Sequence, residues 1–265
     1  MPLRMTPYPT LRDALAAADL PLAGMWVCSG SPLVAEICAG SGLDWLLVDM
    51  EHAPNGLESV LAQLQAVAPY DAVPLVRMPG HLPVMIKQVL DLGARNILMP
   101  MIDTAEQAEA AVRAVRYPPR GVRGVGSALA RSARWNRVDD YLVNADRYVS
   151  LFVQIESVAG VENAAAIAAV DGVDGVFVGP SDLAASMGLL GRQTHPDVVA
   201  AVRRTFADVM AAGKPVGVNA FDPATADAYR AAGASFVLVG ADVAMLARGS
   251  EALAKRFVSA GEGHV

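Results

Sequence analysis

Eight short apolar runs recur along the chain, each closing in a polar residue or a turn, with helix-like segments between them. They fall at residues 25–29, 45–49, 74–77, 96–100, 149–155, 175–179, 215–219 and 236–240. The runs show little alternation between apolar and polar positions, as expected of strands buried on both faces. The segments between them, among them 56–68, 83–92, 104–115 and 196–212, carry apolar positions at helical spacing. Strands alternating with helices read as parallel βαβ units. Eight such units in 265 residues predict an α/β fold, a (β/α)₈ TIM barrel forming one domain over 1–265. The punctuation agrees. Thr104 opens a helix whose first turn holds Glu106, and Gly93, Gly213 and Gly233 follow helix ends.

Barrels of this type work at the end where the strands finish. The ends of the runs therefore form a roster of candidate site residues: Asp49, His52, Arg77, Gln154, Glu156, Ser181, Asp182 and Asn219. The fifth run gives the sharpest signal. In Val153-Gln154-Ile155-Glu156 the two-residue period puts the amide and carboxylate on one face and the aliphatic side chains on the other. An unpaired carboxylate inside the barrel costs several kcal/mol, so a cation should meet it, either a metal or an arginine. The sixth run continues into Gly179-Pro180-Ser181-Asp182, where Ser181 or Asp182 can cap the following helix. Glu156 and Asp182 come from adjacent strands at one end, and such an all-oxygen pair suits a hard divalent ion such as Mg²⁺ or Mn²⁺. No His or Cys cluster stands beside them, which argues against zinc.

The second run ends in Asp49-Met50-Glu51-His52, a cluster of ionisable groups with a histidine suited to proton transfer near neutral pH. Its bland reading is a hydrogen-bonded loop histidine. His81 competes for the role, while His195 and His264 fall on a helix start and on the tail. Arg77, closing the third run, is shaped to hold a carboxylate or a developing oxyanion, with Asp49 or Glu51 as ion-pair partners.

Absences narrow the chemistry. The three lysines, Lys87, Lys214 and Lys255, lie in helices or at the wrong end of a strand, so none is placed for a Schiff base. There is no Gly-x-Ser-x-Gly elbow and no dinucleotide fingerprint. A net charge of −6 without any Lys/Arg run speaks against nucleic acid as a partner. No apolar stretch reaches membrane length, and residues 1–10 lack a signal-peptide core, so a cytoplasmic location is expected. Cys28 and Cys38 match no metal or redox spacing and read as reduced core residues.

Two segments break the rhythm. The connection 116–148 interleaves glycines with Arg120, Arg123, Arg131 and Arg134. Long connections tend to be functional, so this one reads either as an ordered loop beside an anionic ligand or as a basic surface excursion. The last segment, 242–260, is longer than an eighth helix requires. Val243, Leu246, Leu253, Phe257 and Val258 form one stripe along it, for its own barrel or a neighbour's.

The stretches 45–55 (WLLVDMEHAPN), 116–137 (RYPPRGVRGVGSALARSARWNR), 154–156 and 178–188 (VGPSDLAASMG) resemble the metal-dependent class II pyruvate aldolases of the 4-hydroxy-2-oxoheptanedioate and 2-dehydro-3-deoxyglucarate aldolase family. The likeness runs from about Leu20 to Phe257. It implies reversible cleavage of 4-hydroxy-2-oxo acids to pyruvate and an aldehyde, within the catabolism of aromatic compounds. It implies a divalent cation (Mg²⁺, Mn²⁺ or Co²⁺) held by Glu156 and Asp182 and chelated by pyruvate. Gln154, Ser181, Asp182, Arg77 and Trp26 would touch the substrate. His52 would act as base, Arg77 would stabilise the enolate, and Asp49 would belong to the same catalytic cluster. Asp91 would raise the basicity of the histidine from across a subunit boundary. The resemblance also implies a homohexamer in which the last helix is exchanged between barrels. Met50 stands where the family usually has glycine, and a narrowed aldehyde pocket is expected from it.

Overall fold

The computed structural model describes residues 3–5, 7–126 and 128–258. Ser127 of the long loop, Thr6 and residues 1–2 of the amino-terminal stretch, residues 259–260 of the final segment and His264 lie outside the described residues.

Eight strands, β1 (Leu22–Val27), β2 (Trp45–Asp49), β3 (Val73–Arg77), β4 (Asn96–Met99), β5 (Ser150–Ile155), β6 (Gly175–Val178), β7 (Val216–Asn219) and β8 (Phe236–Ala241), pair in parallel and in chain order. β8 closes on β1 to complete a (β/α)₈ barrel. Helices Leu57–Val67, Pro83–Asp91, Ala105–Val115 and Pro196–Ala211 occupy the predicted segments, and Thr104 caps its helix in a reciprocal capping box with Gln107.

β1 departs most from expectation, beginning three residues before the apolar run and ending two before its close. Gly24 belongs inside this strand because the indole of Trp45 fills its place, and an added Cβ would lie 2.4 Å from the ring. Cys28 and Ser29 leave the sheet, and their N–H groups donate to the buried Asp242 carboxylate at 2.8 and 3.0 Å.

The two-residue period sorts each strand into an inner and an outer face. Val48, Val76, Val153, Ile155 and Val178 pack outward against the helices. Leu47, Leu75 and Leu98 point inward together with Trp45, Phe152, Phe177 and Phe236. The rings meet edge to face, with centroids 5.4–6.4 Å apart. Gly175 and Gly217 vacate space for Phe152 and Phe236 as Gly24 does for Trp45. Helix Leu11–Ala17 closes this end, its Leu11 N–H donating to Asn96 Oδ1 at 2.7 Å.

The same sorting corrects the expectation for Met50. It follows the inward Asp49, so its side chain turns outward and is buried among Val48, Val60 and Val76. It does not line the barrel mouth.

The connection 116–148 leaves helix Ala105–Val115 and leads into β5, which puts it at the amino-terminal end of the strands, away from the mouth of its own barrel. It is ordered around a small core of Tyr117, Ala133, Val138, Tyr141 and Ala145. Arg123 is fully buried inside it, its guanidinium 4.5 Å from the Tyr117 ring centroid.

Helix Asp242–Phe257 is pinned at its first residue, but its apolar stripe is not covered by this barrel. Val243, Leu246, Leu253 and Phe257 are 42–71% exposed. Among the described residues, no helix is long and apolar enough to cross a membrane.

Candidate active site

β2 and β3 pair with Asp49 directly opposite Arg77, both pointing inward at the last rung. The result is a buried bidentate clasp: Arg77 Nε and Nη2 donate to the two Asp49 oxygens at 2.8 Å each. Arg77 Nη1 lies 2.9 Å from Glu51 Oε2 in an ion pair without hydrogen-bond geometry, so both terminal nitrogens keep uncommitted N–H groups among the described residues. Burial opposes the charge on Arg77, yet the Asp49 hydrogen bonds and the Glu51 and Glu156 carboxylates outweigh it and raise its pKa. The Trp26 ring lies 4.3 Å from the guanidinium, and the indole N–H donates to Asn219 Oδ1 at 2.8 Å.

Asp49 has no oxygen to spare. Besides Arg77 it accepts the backbone N–H groups of Glu51 and His52 at 3.0 and 3.3 Å. It therefore organises the loop that carries His52 and faces no ligand. The His52 ring is 66% exposed at the rim, with Nε2 3.9 Å from the Glu51 carboxylate.

Gln154, on the inner face of β5, and Glu156, just past its end, are each 2% exposed. Glu156 Oε1 accepts the Met101 N–H at 2.9 Å and Oε2 accepts the Gln154 amide. Met101 presents that N–H from a left-handed conformation, φ 53°, in the loop after β4. Gly179 makes the room: a Cβ there would sit 2.7 Å from Glu156 Oε2. Burial raises the Glu156 carboxyl to about 7 against its two hydrogen bonds, with Asp182 and Glu51 adding to the rise. Burial raises the Glu51 carboxyl too, Asp49 and Asp182 contributing against the pull of Arg77 and His52. Gln154 Oε1 is buried and has no partner among the described residues.

Ser181 and Asp182 are exposed on the first turn of helix Pro180–Ser186. The capping expected of them does not occur. Gly179 is the N-cap and no side chain caps the helix, because Pro180 at the first position starts it without one. Among the described residues the Asp182 carboxylate makes no hydrogen bond and no ion pair, and its charge is felt at Glu156.

Other expected participants lie elsewhere in this chain. Asp91 ends helix Pro83–Asp91 at the far end of the barrel from His52, where Arg123 Nη2 holds it at 3.0 Å. His81 rests against the Pro100 carbonyl, and His195 caps its own helix. Lys87 and Lys255 are helical, and Lys214 Nζ donates to the Val173 carbonyl at the amino-terminal end, so none of the three lysines serves the mouth. The Cys28 thiol is pushed up to about 12 by burial and by Asp49 and Asp242, which leaves it inert as a nucleophile. Sequence reasoning assigned no role to Met101 or Gly179. Met101 gave no signal, while the glycine between strand and helix in Val178-Gly179-Pro180 did.

A family profile described as HpcH/HpaI aldolase/citrate lyase matches residues 22–249, from β1 into the last helix. The chain belongs to this family. A 4-hydroxy-2-oxo-heptane-1,7-dioate aldolase from Salmonella paratyphi B is 51% identical over 246 residues, 93% of either chain. An HpcH/HpaI aldolase/citrate lyase family protein from Burkholderia cenocepacia superposes with a TM-score of 0.89 at 43% identity, covering 94% of this chain and 99% of that one. An HpcH/HpaI aldolase from Desulfitobacterium hafniense follows at 0.87 and 27%, covering 97% of this chain and all of that one. This family member is an aldolase, a carbon–carbon lyase.

Proposed function

We infer that the chain is a divalent-metal-dependent pyruvate aldolase, acting in aromatic-compound breakdown on 4-hydroxy-2-oxo acids of the heptanedioate kind that its Salmonella relative is named for. The observation that carries this reading is Glu156, a buried carboxylate facing Asp182 and held by a glycine-made cradle at a mouth without lysine.

The donor set fits a hard cation. The Asp182 carboxylate contributes to the raised proton affinity of Glu156, and no side-chain cation is ion-paired to Glu156 among the described residues. No group of three or more His, Cys, Asp or Glu side chains forms a closed cage among those residues. Mg²⁺-like ions are commonly bound by one or two carboxylates, with the remaining positions left for water and substrate. Glu156 and Asp182 would hold the ion, which when bound supplies Lewis-acid charge for an enolate oxygen.

The chain's own groups account for the rest. In cleavage, His52 takes the proton from the substrate's 4-hydroxyl, the bond between carbons 3 and 4 breaks, an aldehyde leaves and pyruvate enolate remains. The uncommitted Arg77 N–H groups stabilise its negative charge, preorganised by Asp49 and Trp26. Gln154 and Ser181 orient the keto acid. Asp49 acts through Arg77 and through the backbone of the His52 loop. Asp91 would support the histidine of a neighbouring subunit, in a cytoplasmic homohexamer whose exposed terminal helices are exchanged between barrels. The single barrel domain carries the whole reaction.

Exchange of pyruvate methyl protons with deuterated water tests this reading without knowledge of the aldehyde. Exchange that depends on Mg²⁺, Mn²⁺ or Co²⁺ and stops with chelator is expected. Metal-dependent pyruvate binding without exchange would instead make the barrel a keto-acid sensor.

A further inference from the structure

A cavity of about 590 Å³ opens at the amino-terminal end of the barrel, between helix Leu11–Ala17, the end of helix Leu57–Val67, the starts of β3 and β4, and the turn at 131–134. Its walls are largely apolar, from Tyr8, Ala17, Leu64, Val67 and Tyr70. Three guanidinium groups, Arg95, Arg131 and Arg134, line one side of it. None of them forms an ion pair among the described residues.

Their partners are incomplete. Arg95 Nε donates to the Tyr148 carbonyl at 3.0 Å, and Arg131 Nη1 donates to the Leu92 carbonyl at 2.8 Å. Arg95 Nη1 is buried with no acceptor among the described residues. Of the two carboxylates on the lining, Asp13 is committed to the Thr10 capping box and Asp71 sits at the exposed turn before β3, neither of them ion-paired to Arg95, Arg131 or Arg134 among the described residues. Burial pulls Arg95 down to about 10 despite Asp13, and burial with Arg134 pulls Arg131 to about 10 as well. Partly desolvated cations with open donors favour an anion. An apolar concavity of this volume with a few convergent polar groups is the usual form of a small-molecule site.

We propose that this cavity is a second ligand site, for a monocarboxylate carrying an aromatic body, its carboxylate on Arg95 and Arg131 and its ring between Tyr8 and the Leu64–Val67 wall. The site lies at the opposite end of the barrel from Glu156, so it does not depend on the reaction assigned to the mouth.

Calorimetric titration of the full-length protein with 3-phenylpropionate, at saturating pyruvate and Mg²⁺ to occupy the mouth, tests it. One site per chain is expected. Its affinity should fall at least about tenfold in Arg95→Gln and in Arg131→Gln, the scale of one lost charge-assisted hydrogen bond. Arg134→Gln, at a half-buried position, gives the same reading with a smaller drop should the first two variants fail to fold. Uncharged 3-phenylpropanol should bind at least tenfold more weakly. Absence of binding overturns the proposal, as does binding that Arg77→Gln abolishes while Arg95→Gln and Arg134→Gln leave it intact. Inorganic phosphate binding as tightly as 3-phenylpropionate would overturn the assigned ligand class.

Discussion

The two ends of the barrel interior are built from the same strands by opposite rules. At the amino-terminal end Trp45, Phe152, Phe177 and Phe236 interlock, and glycines on neighbouring strands step aside for them. Two rungs further along, the same inward positions hold Asp49, Arg77, Gln154 and, just past β5, Glu156. One end spends burial on apolar contact. The other buries charge and tolerates an acceptor without a partner. Stability and chemistry are thus separated along the barrel axis, and substitutions at the two ends should have opposite signatures.

The largest effect is expected from Glu156→Gln, which should abolish pyruvate proton exchange while raising the melting temperature of metal-free protein at pH 8. The sign follows from linkage. A folded-state pKa of about 7, above the ordinary 4.5, means that the folded state holds the proton more tightly than the unfolded chain. The stability this contributes is present below pH 4.5 and is lost as pH rises through about 7. The loss is on the order of 2–3 kcal/mol for a group this buried. Thermal melts from pH 5 to 8 without metal should show that decline in the native protein and a flatter profile in the variant. A melting temperature lower than the native one at pH 8 would contradict the account.

His52→Ala comes next and should lower turnover about 10²–10⁴-fold with little change in pyruvate affinity, as steady-state kinetics and calorimetry can separate. Near-native turnover would move the base role away from this ring. Phe236→Ala reverses the pattern: about 3–5 kcal/mol of stability lost by denaturant melts, with activity per folded molecule retained at low temperature. Gly24→Ala is the gentlest probe. Its Cβ would press on the Trp45 ring, costing about 1–3 kcal/mol and leaving the mouth unaffected.

The barrel was legible because strand spacing, glycine punctuation and caps agreed with one another. Seven runs lay within a residue or two of observed strands, and β1 escaped because its early residues include a glycine that makes way for a ring on the next strand. The inward facing of Gln154 and Glu156 was readable from their alternation with Val153 and Ile155. What was hidden depended on a contact distant in sequence, the Met101 N–H on Glu156, whereas the outward turn of Met50 and the far-end position of the long loop follow from strand alternation and from the helix-to-strand connection. Asp182 looked like a cap because local chemistry favours one, and Pro180 removed the need.

A single carboxylate, Asp49, anchors both the guanidinium across the sheet and the backbone that delivers the rim histidine. Under the proposed reaction the base and the charge stabiliser therefore share one hinge pin. A distortion of Asp49 would reach both the guanidinium and the backbone on which the histidine is carried.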